Sequence, residues 1–176
     1  MKKVASTFEE FGFSTTTTKG EGAAPYEATL VTLGYDEKDR PLILQILLFS
    51  QKILESFEDS VEPVEYTKMG ILSFVLTNPI EVPENRFSEI LRLVGLANKA
   101  IPFGYINLSE PEKATYYTYS LPIFSSGPEE IELMTVLQTA LFVKDSFFPV
   151  IEEVANGKID VAQLLTDELY TNSYKT

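Results

Sequence analysis

Residues 26–49 read YEATLVTLGYDEKDRPLILQILLF, and their pattern decides the fold. Tyr26 to Leu33 alternates apolar and polar residues and carries β-branched types, the pattern of a half-buried strand. Gly34 to Arg40 is a charged turn, and Pro41 to Phe49 is the most apolar run in the chain. On an open edge such a run would template aggregation, so it belongs inside a sheet. The pair reads as a hairpin.

Downstream, Met69 to Thr77 reads as a third strand, with Leu72, Phe74 and Leu76 on one face, and Asn78-Pro79 ends it. Val82-Pro83-Glu84 opens a helix to about Lys99. Its Phe87, Ile90, Leu91, Val94, Ala97 and Ile101 recur at steps of three and four, a buried stripe. Phe103 to Leu108 and Ala114 to Ile123 are two further strands. Ser126-Gly127-Pro128-Glu129 starts a long helix whose first turn holds Glu129, Glu130 and Glu132, where the dipole favours acids. Pro149 should kink that helix by removing the bond to Asp145, and Asn156-Gly157 closes it. Asp160 is placed to cap a last short helix before a polar tail.

Upstream, Ser6-Thr7-Phe8-Glu9 fits a capping box for a short helix with Phe8 and Phe11 on one face. Ser14 to Pro25, STTTTKGEGAAP, is small and polar and reads as a flexible linker. Lys52 to Tyr66, acidic and interrupted by Pro63, reads as a short helical turn or loop. The order α-β-β-β-α-β-β-α predicts an α+β fold, a five-stranded mainly antiparallel sheet with helices packed on one face. One domain over residues 1–176 is expected, with 14–25 as linker and 158–176 as a short helix and tail.

Composition sets the outer limits. Of 176 residues 44% are hydrophobic and 23% charged, a globular balance. The absence of Cys and His removes disulfides, thiolate chemistry, Cys/His zinc sites and imidazole catalysis. Lys2 and Lys3 are followed by Glu9 and Glu10 rather than an apolar run, so no secretion signal is read and the expected compartment is cytoplasmic. The net charge of −12 repels phosphate backbones and anionic lipid, so neither nucleic acid nor membrane is expected as a partner. It would attract a basic partner, although solubility alone is the plainer reason for it.

Each candidate for chemistry has a plainer reading. Gly20-Glu21-Gly22 starts like a dinucleotide fingerprint, but no strand precedes it and Pro25 stands where a helix should open. Asp36, Glu37 and Asp39 lack the alternating spacing of a calcium loop and fit a solvated hairpin tip. Glu110 with Glu112, and the acids at 129, 130 and 132, are pairs expected by chance in so acidic a chain. No catalytic, cofactor-binding or metal-ligating residue is assigned. Two features point to a partner instead. Tyr117 and Tyr119 share a strand face, with Tyr105 on the next strand, and tyrosine is enriched at interfaces. The alternative is that these rings cover the sheet beneath a helix. Leu133, Val136, Leu137, Ala140 and Leu141 make the last helix apolar over much of its girth, so it is either sandwiched in the core or buried by a second copy.

Three segments carry a family resemblance. Leu96 to Leu108, LANKAIPFGYINL, has an Asn near a helix end, a short turn and a Gly before an aromatic strand. Tyr117 to Pro122, YTYSLP, follows it, and Asp145 to Ile151, DSFFPVI, is an aromatic-plus-Pro helix segment. Over roughly Met69 to Gly157 the chain resembles the YbjN family, which shares its fold with the class I type III secretion chaperones. The resemblance implies a bacterial or plastid-type protein without established enzymatic activity. Its chaperone relatives dimerise and wrap extended client segments. The expectation is a non-enzymatic protein-binding module, adaptor or chaperone-like and homodimeric, with a protein client and no cofactor. The alternative is a small-ligand sensor with an apolar pocket between sheet and helix.

Overall fold

The computed structural model describes residues 1–18, 27–49, 70–124 and 127–166. Helix α1 (Lys2–Glu10) leads through Gly12, at φ +88°, into strand β1 (Ser14–Thr18). The hairpin follows as β2 (Glu27–Tyr35) and β3 (Pro41–Phe49), then β4 (Gly70–Thr77). A single 3-10 turn (Glu84–Arg86) precedes α2 (Phe87–Ala97). Strands β5 (Tyr105–Ser109) and β6 (Ala114–Ile123) are followed by α3 (Glu130–Ser146), α4 (Phe148–Ala155) and α5 (Val161–Thr166). The architecture is α+β, with one open antiparallel sheet in the order β1-β2-β3-β4-β6-β5.

The sheet therefore has six strands, not five. The added strand is Ser14–Thr18, expected as linker. Lacking apolar residues, it shows no amphipathic alternation, but threonine is β-branched and β1 needs only the ladder to β2 to form. The expected segments at residues 19–25, 52–66 and 167–176 lie outside the described residues.

Register separates the two faces. The row Thr15–Val31–Leu44–Leu76–Tyr117–Ile106 crosses the whole sheet on one side, and Thr17–Thr29–Ile46–Phe74–Tyr119 runs beside it. These rows meet the helices. Val31, Leu44, Ile46, Phe74 and Leu76 are fully buried there with Phe8 of α1, Ile90 of α2, Leu133 of α3 and Ile151 of α4. Each such side chain contributes about 1.5–3 kcal/mol of burial.

Helix ends depart from expectation in informative ways. Ser6 and Thr7 do not cap α1; their hydroxyls donate to the Lys3 carbonyl at 3.0 Å from within the helix. Helix α2 buries Ile90, Leu93, Val94 and Ala97 and leaves Leu91 48% exposed, so the stripe includes Leu93 in place of Leu91. Helix α3 does start on a capping box, with the Glu129 N–H donating to Glu132 Oε2 at 2.8 Å. At Pro149 the expected kink is a full break. Helix α3 ends at Ser146, and Pro149 sits in the first turn of α4, where a missing N–H leaves no bond unmade. Asp160 contacts Arg86 at 3.1 Å across the fold. Residues 130–155 are long and apolar enough to cross a membrane by length and composition alone, yet their apolar side chains form much of the core.

Candidate functional site

The three tyrosines do not share a surface. Tyr117 is fully buried, and its hydroxyl donates to the Phe103 carbonyl at 3.0 Å. Burial pushes its phenol far above the ordinary range, and neighbouring Tyr119 adds to the shift. Tyr117 is a core residue, the reading in which the rings cover the sheet beneath a helix. Tyr119, two residues on, sits at the margin of the same face, with ring centroids 6.4 Å from both Phe74 and Phe103. Tyr105 is 51% exposed but lies on the opposite face, because its register partner is Thr118. Alternation along β6 separates residues that lie near one another in sequence.

Around Tyr119 there is a shallow apolar groove of about 170 Å³, lined by Phe103, Tyr119, Leu121, Ile131 and Val136 with Glu132 and Thr135. Its origin is a mismatch in strand length. The β5–β6 ladder stops at Tyr105↔Thr118, whereas β6 runs on to Ile123 with β4 on its other side. Gly104, at φ +74°, turns the chain away at that point, and Phe103 swings out beside the extension of β6. Phe103 (47% exposed) and Ile131 (64% exposed) flank the groove. In sequence Ile131 continues the apolar series of its helix. In space it occupies the first turn of α3, where it overhangs the groove rather than the sheet.

The outer edge of β5 is capped at its second residue, Ile106. Asn98, just beyond α2, donates from Nδ2 to the Ile106 carbonyl at 3.0 Å and accepts the Ile106 N–H at Oδ1 at 2.7 Å. One amide side chain imitates a neighbouring strand. Here the Asn that carried part of the resemblance has a physical task, guarding a sheet edge.

The second feature is a cleft of about 260 Å³ between the β2–β3 turn and α4. Asp36 Oδ1 accepts the Lys38 and Arg40 N–H groups at 2.8 and 2.9 Å, shaping the turn. Arg40 bridges Asp36 Oδ2 at 2.6 Å and Glu152 Oε2 at 2.7 Å, and Lys38 pairs with Glu152 as well. Lys144 pairs with Asp145. Each cation of the cleft is thus engaged by a carboxylate, which favours a clamp between hairpin and helix over a ligand site.

The hydrogen bond from Arg40 holds the Glu152 carboxyl below its usual range; burial works against it and Lys38 assists. At Asp36 burial pushes upward, but the bonds from Arg40 and Lys38 outweigh it and the net shift is downward. Carboxyls depressed in the folded state stabilise above their unfolded values, near 4, and lose that contribution as pH falls through the folded values. Glu152→Gln is therefore expected to cost about 1 kcal/mol near neutral pH. In urea titrations its deficit against wild type should shrink towards zero below about pH 3. A deficit that does not change with pH would remove the ionic account.

Along α3, Leu133, Val136, Leu137 and Ala140 are buried in the chain's own core, and Leu141 packs against that core partly exposed. Four of the five residues expected on a dimer helix are thus covered within the chain, and the exposed large apolar side chains of α3 are Ile131 and Phe142. Among the described residues no three acidic side chains converge as metal ligands. No family model, curated protein or solved structure matches the chain.

Proposed function

We propose that this protein is a non-enzymatic protein-binding module, adaptor or chaperone-like and of the YbjN-like kind. It holds an extended client segment along the outer margin of β6, with one apolar client side chain seated in the groove of Phe103, Tyr119 and Ile131. The observation that carries this reading is the pair of exposed apolar side chains, Phe103 and Ile131, flanking a groove where β6 outruns its neighbour. Large apolar groups held together at a surface mark interaction sites. An extended segment beside β6 would meet few backbone partners, since Pro122 has no N–H to give. Affinity then rests mainly on the seated side chain. Strand addition to β5 is disfavoured, because Asn98 holds the Ile106 backbone groups.

The test is capture from a native extract with cross-linking and mass spectrometry, using wild type and Ile131→Glu. Ile131 is mostly exposed in the first turn of a helix, where an acid is well tolerated, so the fold should persist. A single partner cross-linked beside the groove, with capture reduced roughly tenfold or more in the variant, is expected. Equal capture by a folded Ile131→Glu would overturn the assignment of this groove.

A further inference from the structure

Among the described residues lining the groove of Phe103, Tyr119 and Ile131, Glu132 is the charged one. It is half-buried and held in place. Its Oε2 accepts the Glu129 N–H at 2.8 Å, and the Glu129 side chain accepts the Glu132 N–H in return. Three positions apart, the two acids are neighbours on one side of the start of α3. A capping box accounts for these hydrogen bonds but not for the charges. Ser, Thr, Asp and Asn cap better than Glu, and Gln would serve at position 132 as well as Glu does. The helix dipole favours acids here, yet neither carboxylate has an ion-pair partner among the described residues. Lys3, which reaches this end of α3, donates from Nζ to the Pro128 carbonyl at 3.0 Å instead. A carboxylate offers about four lone-pair sites, and the capping box uses one on each acid. Fixed negative charge with acceptor capacity to spare therefore borders an apolar groove.

Given the client seat proposed above, on which this step rests, we infer that the seat selects a segment with Lys or Arg two residues from the apolar anchor. An extended strand turns alternate side chains the same way at intervals of about 6.6 Å, so anchor and cation face the protein together. The anchor enters between Phe103, Tyr119 and Ile131, and the cation meets the Glu132 carboxylate, with Glu129 adding to the attraction. The aliphatic stem of Lys or Arg covers apolar rim on the way, while its head stays at the wet margin. Pre-organisation favours the contact. A carboxylate already fixed by a backbone N–H loses little freedom on pairing, and its partial burial beside apolar side chains weakens solvent screening. The same charges reject an acidic segment. The net charge of −12 acts in the same sense at longer range, drawing basic segments to the protein and leaving the choice among them to the groove.

The test is panning of a random decapeptide phage library on the full chain, on Ile131→Glu and on the double variant Glu129→Gln with Glu132→Gln. The double variant keeps a hydrogen-bonding side chain at both positions, and urea midpoints establish that each protein is folded. Wild type is expected to enrich peptides with an apolar residue and a Lys or Arg two positions away, and Ile131→Glu to lose them. In fluorescence anisotropy at about 20 mM salt, the best such peptide should bind the double variant roughly five- to tenfold more weakly. A version of that peptide with Gln in place of the basic residue should bind both proteins alike. The advantage of wild type should shrink at about 300 mM salt. Groove-dependent peptides without a basic preference would overturn the charge selection and leave the apolar seat standing. A basic preference that the double variant shares would do the same, placing the selecting charge elsewhere. Peptides that Ile131→Glu binds as well as wild type, or no enrichment at all, would overturn the seat and the selection together.

Discussion

Tyr117→Ala is expected to cost about 3–5 kcal/mol, a loss set by the ring far more than by the hydroxyl. The domain's whole stability is on the order of 5–15 kcal/mol, so the variant gives up a large share of it. The ring is fully buried in the row Leu44–Leu76–Tyr117–Ile106, and its removal leaves a cavity between two strands held by their neighbours. Tyr117→Phe removes only the bond to the Phe103 carbonyl and should cost about 1 kcal/mol or somewhat more, because that carbonyl loses its donor. Denaturant midpoints of the two variants separate ring from hydroxyl. A loss below about 1 kcal/mol in Tyr117→Ala would contradict the core assignment.

Gly104→Ala should cost about 2–4 kcal/mol for two independent reasons. The backbone sits at φ +74°, which a side chain disfavours. A Cβ there would also lie 2.4 Å from the Thr118 carbonyl oxygen and 2.8 Å from the Tyr117 ring. The oxygen belongs to the β6 backbone and cannot rotate aside, so β5 must lift from β6 at Tyr105. The loss should therefore be visible twice, in the denaturant midpoint and in faster amide exchange at residues 105–109. Phe103 moves with this turn, so client capture should fall as well. A stable variant with unchanged exchange would show that the turn tolerates a side chain.

The central fold was legible because each apolar pattern had a single use. The β2–β3 hairpin, the Leu72–Phe74–Leu76 face of β4 and the strands β5 and β6 lie close to their expected positions, since alternation and turn residues agreed there. β1 was not legible: a run of threonines carries no alternation, and its strand state comes from the neighbour it pairs with. Leu91 and Leu93 traded places because a periodic pattern cannot fix the phase of a short helix to within one residue. The groove was half legible. Tyr119 is there, but Phe103 and Ile131 joined it only through the early end of β5, a three-dimensional mismatch of strand lengths. The tyrosine cluster failed on parity, as 105 and 117 pair at positions that face opposite ways.

Asn98 bears on how far assembly can propagate. Stacking sheets edge to edge into a filament requires each molecule to present two compatible borders, one to receive and one to extend. With the β5 border bonded at Ile106 to an amide just beyond α2, that border is a poor receiver. Lateral pairing is easier at β1, the other end of the sheet, and two β1 strands meeting antiparallel consume both borders at once. Contact of that kind stops at two chains. A single asparagine thus makes one border of this sheet a poor template for edge pairing.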